Sequence, residues 1–235
     1  MWLNDKAKTI ESRAVLFDLD DTLTSRRETL LTFAGVFASD FAEQLNPIEL
    51  EALSRQIIEI DRGGYNPRRP DDLKELLAWR EVPTSDFLEK YWQRRFSELA
   101  VPRLGMFEVL ETLKSNGFRL GVVTNGEDYG QNRKVDYLSL RTHVDSIVIS
   151  GVVGCKKPDP AIFDHACREL EVEASQCWFV GDHPVNDVVA ARQVGMRSVW
   201  IRDDHTSHEW PEGEAKPGYE IGTLLELLEI MELAN

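Results

Sequence analysis

Apolar positions along the chain follow two rhythms. Short unbroken runs rich in β-branched and aromatic residues occur at Val15-Leu16-Phe17 and over residues 118–124, 145–150, 177–181 and 198–201. Runs of that length predict buried strands. Between and beside the last four, apolar residues recur at helical spacing over 106–115, 131–140, 161–170 and 185–194. Gly117 and Gly195 follow two of these stretches, where a helix stop is expected. Strands alternating with helices predict βαβ units, and hence an α/β fold with a doubly wound parallel sheet covered by helices on both faces.

The interval between the first and second strands breaks that rhythm. Residues 28–45, 47–61, 70–80 and 84–99 all carry helix-period patterns, and no strand pattern appears among them. Pro47 and Pro70 read as first-turn prolines, while Gly63, Gly64 and Pro67 mark a loop. The chain therefore divides into a sheet domain, residues 1–25 and 103–235, and an inserted all-helical domain, residues 26–102, with linkers near 24–27 and 100–105. Residues 219–233 predict a closing amphipathic helix that packs Ile221, Leu224, Leu225 and Leu228 on the sheet domain.

At 235 residues, 42% hydrophobic and 29% charged, the chain has globular composition. Its formal net charge of -14, from 27 basic and 41 acidic residues, argues against a nucleic-acid partner. An anionic substrate must then be captured by a local cation. No run of about 18 apolar residues is present, so no membrane partner is expected. The first residues, Met1-Trp2-Leu3-Asn4-Asp5-Lys6, lack the order of a signal peptide. Cys155, Cys167 and Cys177 form no CxxC pair and read as reduced thiols of a cytoplasmic protein.

Four short segments carry chemistry, three of them at strand ends. Asp18, Asp20 and Asp21 crowd three carboxylates where the first strand leaves the core, which is unfavourable unless a cation or a reaction uses them. Hard oxygen donors of this kind suit Mg²⁺. The second segment, Val122-Val123-Thr124-Asn125-Gly126, ends a strand with a hydroxyl and backbone amides able to cradle an oxyanion. In the third, Lys156-Lys157-Pro158-Asp159-Pro160, a lysine before a proline-started helix is held stiffly beside a phosphate. The fourth, Val180-Gly181-Asp182-His183-Pro184-Val185-Asn186-Asp187, closes a strand with a second carboxylate pair. A parallel sheet brings such ends to one edge.

In order and setting these segments resemble the four motifs of the haloacid dehalogenase superfamily, and the helical insert resembles the cap of its first subclass. The resemblance implies that Asp18 is a nucleophile forming an aspartyl-phosphate, and that Asp20 protonates the leaving alkoxide and then activates water. It implies that Thr124 and Lys157 hold the phosphoryl group, with Asn125 and Gly126 also on the substrate. It assigns Mg²⁺ to Asp18, the carbonyl of Asp20, Asp182 and Asp187. Asp20 argues for phosphoryl transfer, since a departing halide needs no acid. The implied activity is a Mg²⁺-dependent phosphatase acting on a small phosphorylated metabolite, as a monomer or weak homodimer. The alternatives are a phosphomutase of the β-phosphoglucomutase type and a non-catalytic phosphate-binding protein.

Other residues carry two readings each. Arg62, Tyr65, Arg68 and Arg69 either select substrate from the insert or belong to a solvated loop. Arg26 and Arg27 either offset the acidic loop or start a helix. Asp21 is expected to turn away as a structural cap and Lys156 to be solvated, while His183 either acts directly in catalysis near the metal or, with Pro184, shapes its loop. His205 and His208 offer too few ligands for zinc. Trp79, Tyr91, Trp92 and Phe96 are expected in the core of the insert.

Overall fold

The computed structural model describes residues 13–202 and 208–233. Strand β1, Ala14–Phe17, is buried on both faces and lies in the middle of the sheet. It pairs in parallel with β4, Arg119–Thr124, on one side and with β6, Cys177–Gly181, on the other. Beyond them lie β5, Ser146–Ile149, on one side and β7, Arg197–Ile201, then β8, Tyr219–Ile221, on the other, giving the order β5-β4-β1-β6-β7-β8. Alternation along β1 sends Val15 and Phe17 to one face and Ala14 and Leu16 to the other. The first face packs with α5, Met106–Ser115, and the second with α8, Pro160–Glu169.

The insert runs between two short strands, β2, Thr24–Ser25, and β3, Val101–Pro102, which pair with each other antiparallel. The segments expected as linkers thus form one ribbon. Helices α1, Arg26–Asp40, α2, Leu50–Asp61, α3, Arg69–Leu76, and α4, Ser85–Glu98, enclose an apolar centre separate from those of the sheet. Trp92 and Phe96 are buried in that centre, and Trp79 and Tyr91 pack against it. Thr84 caps α4 through its hydroxyl, and Pro70 occupies the first turn of α3.

Some expectations change. Pro47 precedes α2 rather than opening it, because residues 44–46 pair with 78–80: the N–H of Asn46 donates to the Ala78 carbonyl and that of Arg80 to Gln44. The same pairing ends α3 at Leu76. Residues 219–233 are not one helix. Tyr219–Ile221 form β8 on the open edge of β7, and only Glu226–Ile230 form the helix α10. Sheet pairing overrides the local helical pattern there. Helix α6, Asp128–Tyr137, starts three residues earlier than its apolar pattern. No helix among the described residues is long and apolar enough to cross a membrane.

Leu16 is fully buried in the central strand. Leu16→Ala is expected to cost about 2–5 kcal/mol of stability through lost burial and the cavity left behind, measured by urea unfolding followed by circular dichroism.

Candidate active site

Register sets the geometry. Phe17 lies between Val122 of β4 and Val180 of β6. The next residue, Asp18, donates its N–H to the Val180 carbonyl at 2.9 Å. The side chain that follows β1 therefore emerges beside the residues that follow β6. Asp182 directly follows β6, and Asp187 is returned to it by a wide π-helical turn over Pro184–Val189. His183 starts that turn, accepting the N–H groups of Val185 and Asn186 on Nδ1, both at 3.2 Å. It therefore shapes the loop. Its own N–H donates to Asp187 Oδ2 at 2.9 Å. Gly181 is required by this fold-back, since a Cβ there would overlap the Asp187 carboxylate.

Carboxylate oxygens of Asp18, Asp182 and Asp187 lie within 4.8 Å of one another, all buried. Lys157 answers them with one charge, its Nζ at 2.5 Å from Asp18 Oδ1 and 2.6 Å from Asp187 Oδ1. Burial raises the Asp18 carboxyl to about 7 even though Lys157 pulls it down. Burial, then the charges of Asp187 and Asp18, raise Asp182 well above the ordinary carboxylate value. Lys157 is raised in turn, because Asp18 and Asp187 outweigh the cost of burying its ammonium. The donors are hard oxygens in excess of the available cation, and that set fits a divalent ion such as Mg²⁺.

Lys157 is itself held across the sheet edge. Its N–H donates to Asn125 Oδ1 at 2.8 Å, and Asn125 Nδ2 donates to its carbonyl at 2.9 Å. The Asn125 amide thus clamps Lys157 instead of standing free for a substrate. The Gly126 N–H likewise donates to Ser150 Oγ at 3.0 Å, which removes it from the oxyanion cradle expected of it. The Thr124 hydroxyl accepts from Gln131 at 2.6 Å and keeps its own hydrogen for a ligand.

Asp20 lies apart from the three-carboxylate cluster. Lys134 Nζ reaches its two oxygens at 2.6 and 2.7 Å, and Gln131 Nε2 reaches Oδ2 at 3.0 Å. Burial would raise this carboxyl, but the charges of Lys134 and Arg26 and the hydrogen bonds from Lys134 and Gln131 bring it down to about 2. Gln131 and Lys134 were hidden inside a helical pattern. Their only signal was two polar side chains, three apart, on the face of α6 that turns inward. Asp21 adopts a left-handed backbone, φ 58°, and accepts the Arg26 N–H at the start of α1, the structural cap expected of it.

A cavity of about 430 Å³ opens over these groups. Its far side is formed by Gly63, Gly64 and Tyr65 of the insert, with His183, Asn186 and His208 alongside. Tyr65 is 69% exposed. Arg62 pairs with Asp72 and Arg68 with Glu75, and the Arg69 guanidinium lies over Trp92, so these arginines belong to the insert. Arg26 does line the cavity, gripping the fully buried Asp61 at 2.6 and 2.8 Å. Lys156 lines the rim and is exposed. The His208 ring packs against that of His183, tilted by 40°, and lies 3.8 Å from Asp182. His205 lies outside the described residues.

Residues 12–195 match the family of haloacid dehalogenase-like hydrolases. The chain is 29% identical to the glyceraldehyde 3-phosphate phosphatase of Pyrococcus abyssi, with 95% of each chain covered. It is 36% identical to the phosphoserine phosphatase of Thermus thermophilus, covering 92% of this chain and 90% of that one. Among solved structures, the magnesium-bound YfnB of Bacillus subtilis superposes with a TM-score of 0.74 at 22% identity, over 94% of this chain and 99% of that one. The chain belongs to the haloacid dehalogenase-like hydrolases. Relatives within that family include proteins named as phosphatases.

Lys157→Met leaves buried carboxylates without their cation. A stability loss of about 3–5 kcal/mol is expected near pH 8 in EDTA. Asp18 already has a raised pKa of about 7, and losing Lys157 raises it further. Protonation therefore relieves the variant as pH falls, and the gap from wild type narrows toward pH 5. Urea unfolding at the two pH values measures this.

Proposed function

We propose that the protein is a Mg²⁺-dependent cytoplasmic phosphatase that hydrolyses a small phosphomonoester metabolite through an aspartyl-phosphate. The observation that carries this reading is the separation of two carboxylate environments. Asp18 sits with Asp182 and Asp187 against Lys157, while Asp20 sits two residues away on Lys134. One group is placed to attack and the other to move a proton.

In this reading Asp18 attacks phosphorus. Lys157 and the Thr124 hydroxyl hold the equatorial oxygens, and Asp20, ionised beside Lys134, takes the proton of the bound phosphomonoester monoanion and passes it to the departing alkoxide. Water then attacks the phosphoryl-Asp18. Its oxygen bonds to phosphorus, the bond to Asp18 breaks, and the water proton passes to Asp20. Asp18, the Asp20 carbonyl, Asp182 and Asp187 would hold Mg²⁺, which when bound offsets the repulsion between nucleophile and phosphate. Residues 26–102 act as a first-subclass cap over the core of residues 1–25 and 103–235. Gly63, Gly64 and Tyr65 then face the part of the substrate beyond the phosphate.

The cavity suits a small polar leaving group, with Tyr65 the one aromatic ring at its mouth from the insert. A mutase reading requires groups that hold a second phosphate. Arg26 is already engaged by Asp61, and Arg62 and Arg68 pair elsewhere in the insert, so hydrolysis is favoured.

Asp18→Asn is expected to abolish turnover of p-nitrophenyl phosphate, by about three orders of magnitude or more, with the melting temperature unchanged or raised. Wild-type turnover is expected to vanish in EDTA and return on adding Mg²⁺. Full activity in the Asp18→Asn variant, or of the wild type in EDTA, defeats the reading.

A further inference from the structure

Lys134 is 6% exposed, and its ammonium contacts one carboxylate, that of Asp20. Burying a lysine is costly, and pairing it offsets that cost only when the geometry is good. The geometry here is good: the ammonium meets both oxygens of Asp20. Gln131, one turn earlier on α6, adds a third contact to the same carboxylate and also donates to Thr124. Gly126 makes room for it, since a Cβ at that position would lie 2.7 Å from Gln131 Cγ.

The opposite side is closed by the insert. Phe96 of α4 has the Lys134 ammonium 5.3 Å from its ring centre and the Arg26 guanidinium at 4.7 Å. An ion pair between Arg133 and Glu98 ties α6 to α4 at the same level. The backbone of the loop carrying Asp20 is fixed independently, with the N–H groups of Leu23 and Thr24 both donating to the Leu19 carbonyl. The freedom left to Asp20 is therefore rotation of its side chain. That freedom matters, because the acidic cluster around Asp18 would accept a further oxygen ligand for a cation.

Building on the role proposed above for Asp20, we propose that Lys134, supported by Gln131, is a positioning residue. It holds the Asp20 carboxylate out of the acidic cluster and turned to the cavity, so that it serves proton transfer and not metal ligation. The two buried lysines among the described residues thus divide between two tasks. Lys157 serves the nucleophile, and Lys134 serves the proton carrier.

The test uses the full chain with Mg²⁺ and p-nitrophenyl phosphate, comparing wild type, Lys134→Met and Lys134→Arg. Nitrophenolate leaves without a proton, whereas water attack on phosphoryl-Asp18 needs Asp20 in place. In Lys134→Met the first-turnover burst of nitrophenolate is expected to stay within about twofold of wild type, while steady-state kcat falls about tenfold or more with KM little changed. Lys134→Arg is expected to recover most of the loss. A crystal structure of Lys134→Met is expected to show Asp20 in a different rotamer.

An unchanged Asp20 rotamer overturns the proposal, as does, where the wild type turns over, an unchanged kcat or an equal fall in burst and steady state. A wild-type protein with no turnover, alongside a displaced Asp20 in Lys134→Met, counts against the phosphatase reading and for the positional claim.

Discussion

Charge crowding at the carboxyl end of the central strand governs this molecule. Asp18, Asp182 and Asp187 are buried together against a single lysine. The interior cannot solvate them, so two of the three are held well above their usual ionisation range. Such an arrangement spends stability on readiness for a cation and an anionic ligand. Parallel pairing on both sides of β1 keeps the cluster from spreading apart. So does the fold-back of Asp187 over Gly181, where any larger residue would collide.

A second constraint follows from the first. With Lys157 committed to Asp18 and Asp187, a carboxylate two residues beyond Asp18 needs its own cation, and α6 supplies it. The insert contributes through Phe96, whose face sits against both Lys134 and Arg26. Arg26 in turn reaches Asp61 beside the loop that carries Tyr65. One aromatic ring and one arginine therefore connect the acidic loop to the part of the insert that faces a substrate.

Much of this was legible in the chain. Apolar runs marked the main buried strands, and carboxylates, hydroxyl and lysine at their ends marked one edge, because strand ends in a parallel sheet are fixed by pairing. The π-helical turn was not legible, since it depends on where Asp187 must return. Gln131 and Lys134 were missed because polar residues within a helical pattern look solvated until tertiary packing turns them inward. The Asn125 side-chain amide is taken up by its clamp on Lys157 and the Gly126 N–H by Ser150, pairings that no local sequence pattern announces. Strand β8 was missed because Ile221 fits the helical spacing of the residues after it, and only pairing with the edge of β7 draws it into the sheet.

The antiparallel ribbon of Thr24–Ser25 with Val101–Pro102 has a wider consequence. Both covalent crossings into the helical segment leave and re-enter side by side, so the sheet domain experiences its passenger as a closed excursion of nearly zero span. Lengthening, shortening or exchanging that excursion alters chain entropy only slowly with size, and no strand of the sheet has to move. The architecture thereby makes exchange of whatever hangs from the ribbon topologically simple, provided that the surface meeting Lys134, here Phe96 and Arg26, is kept.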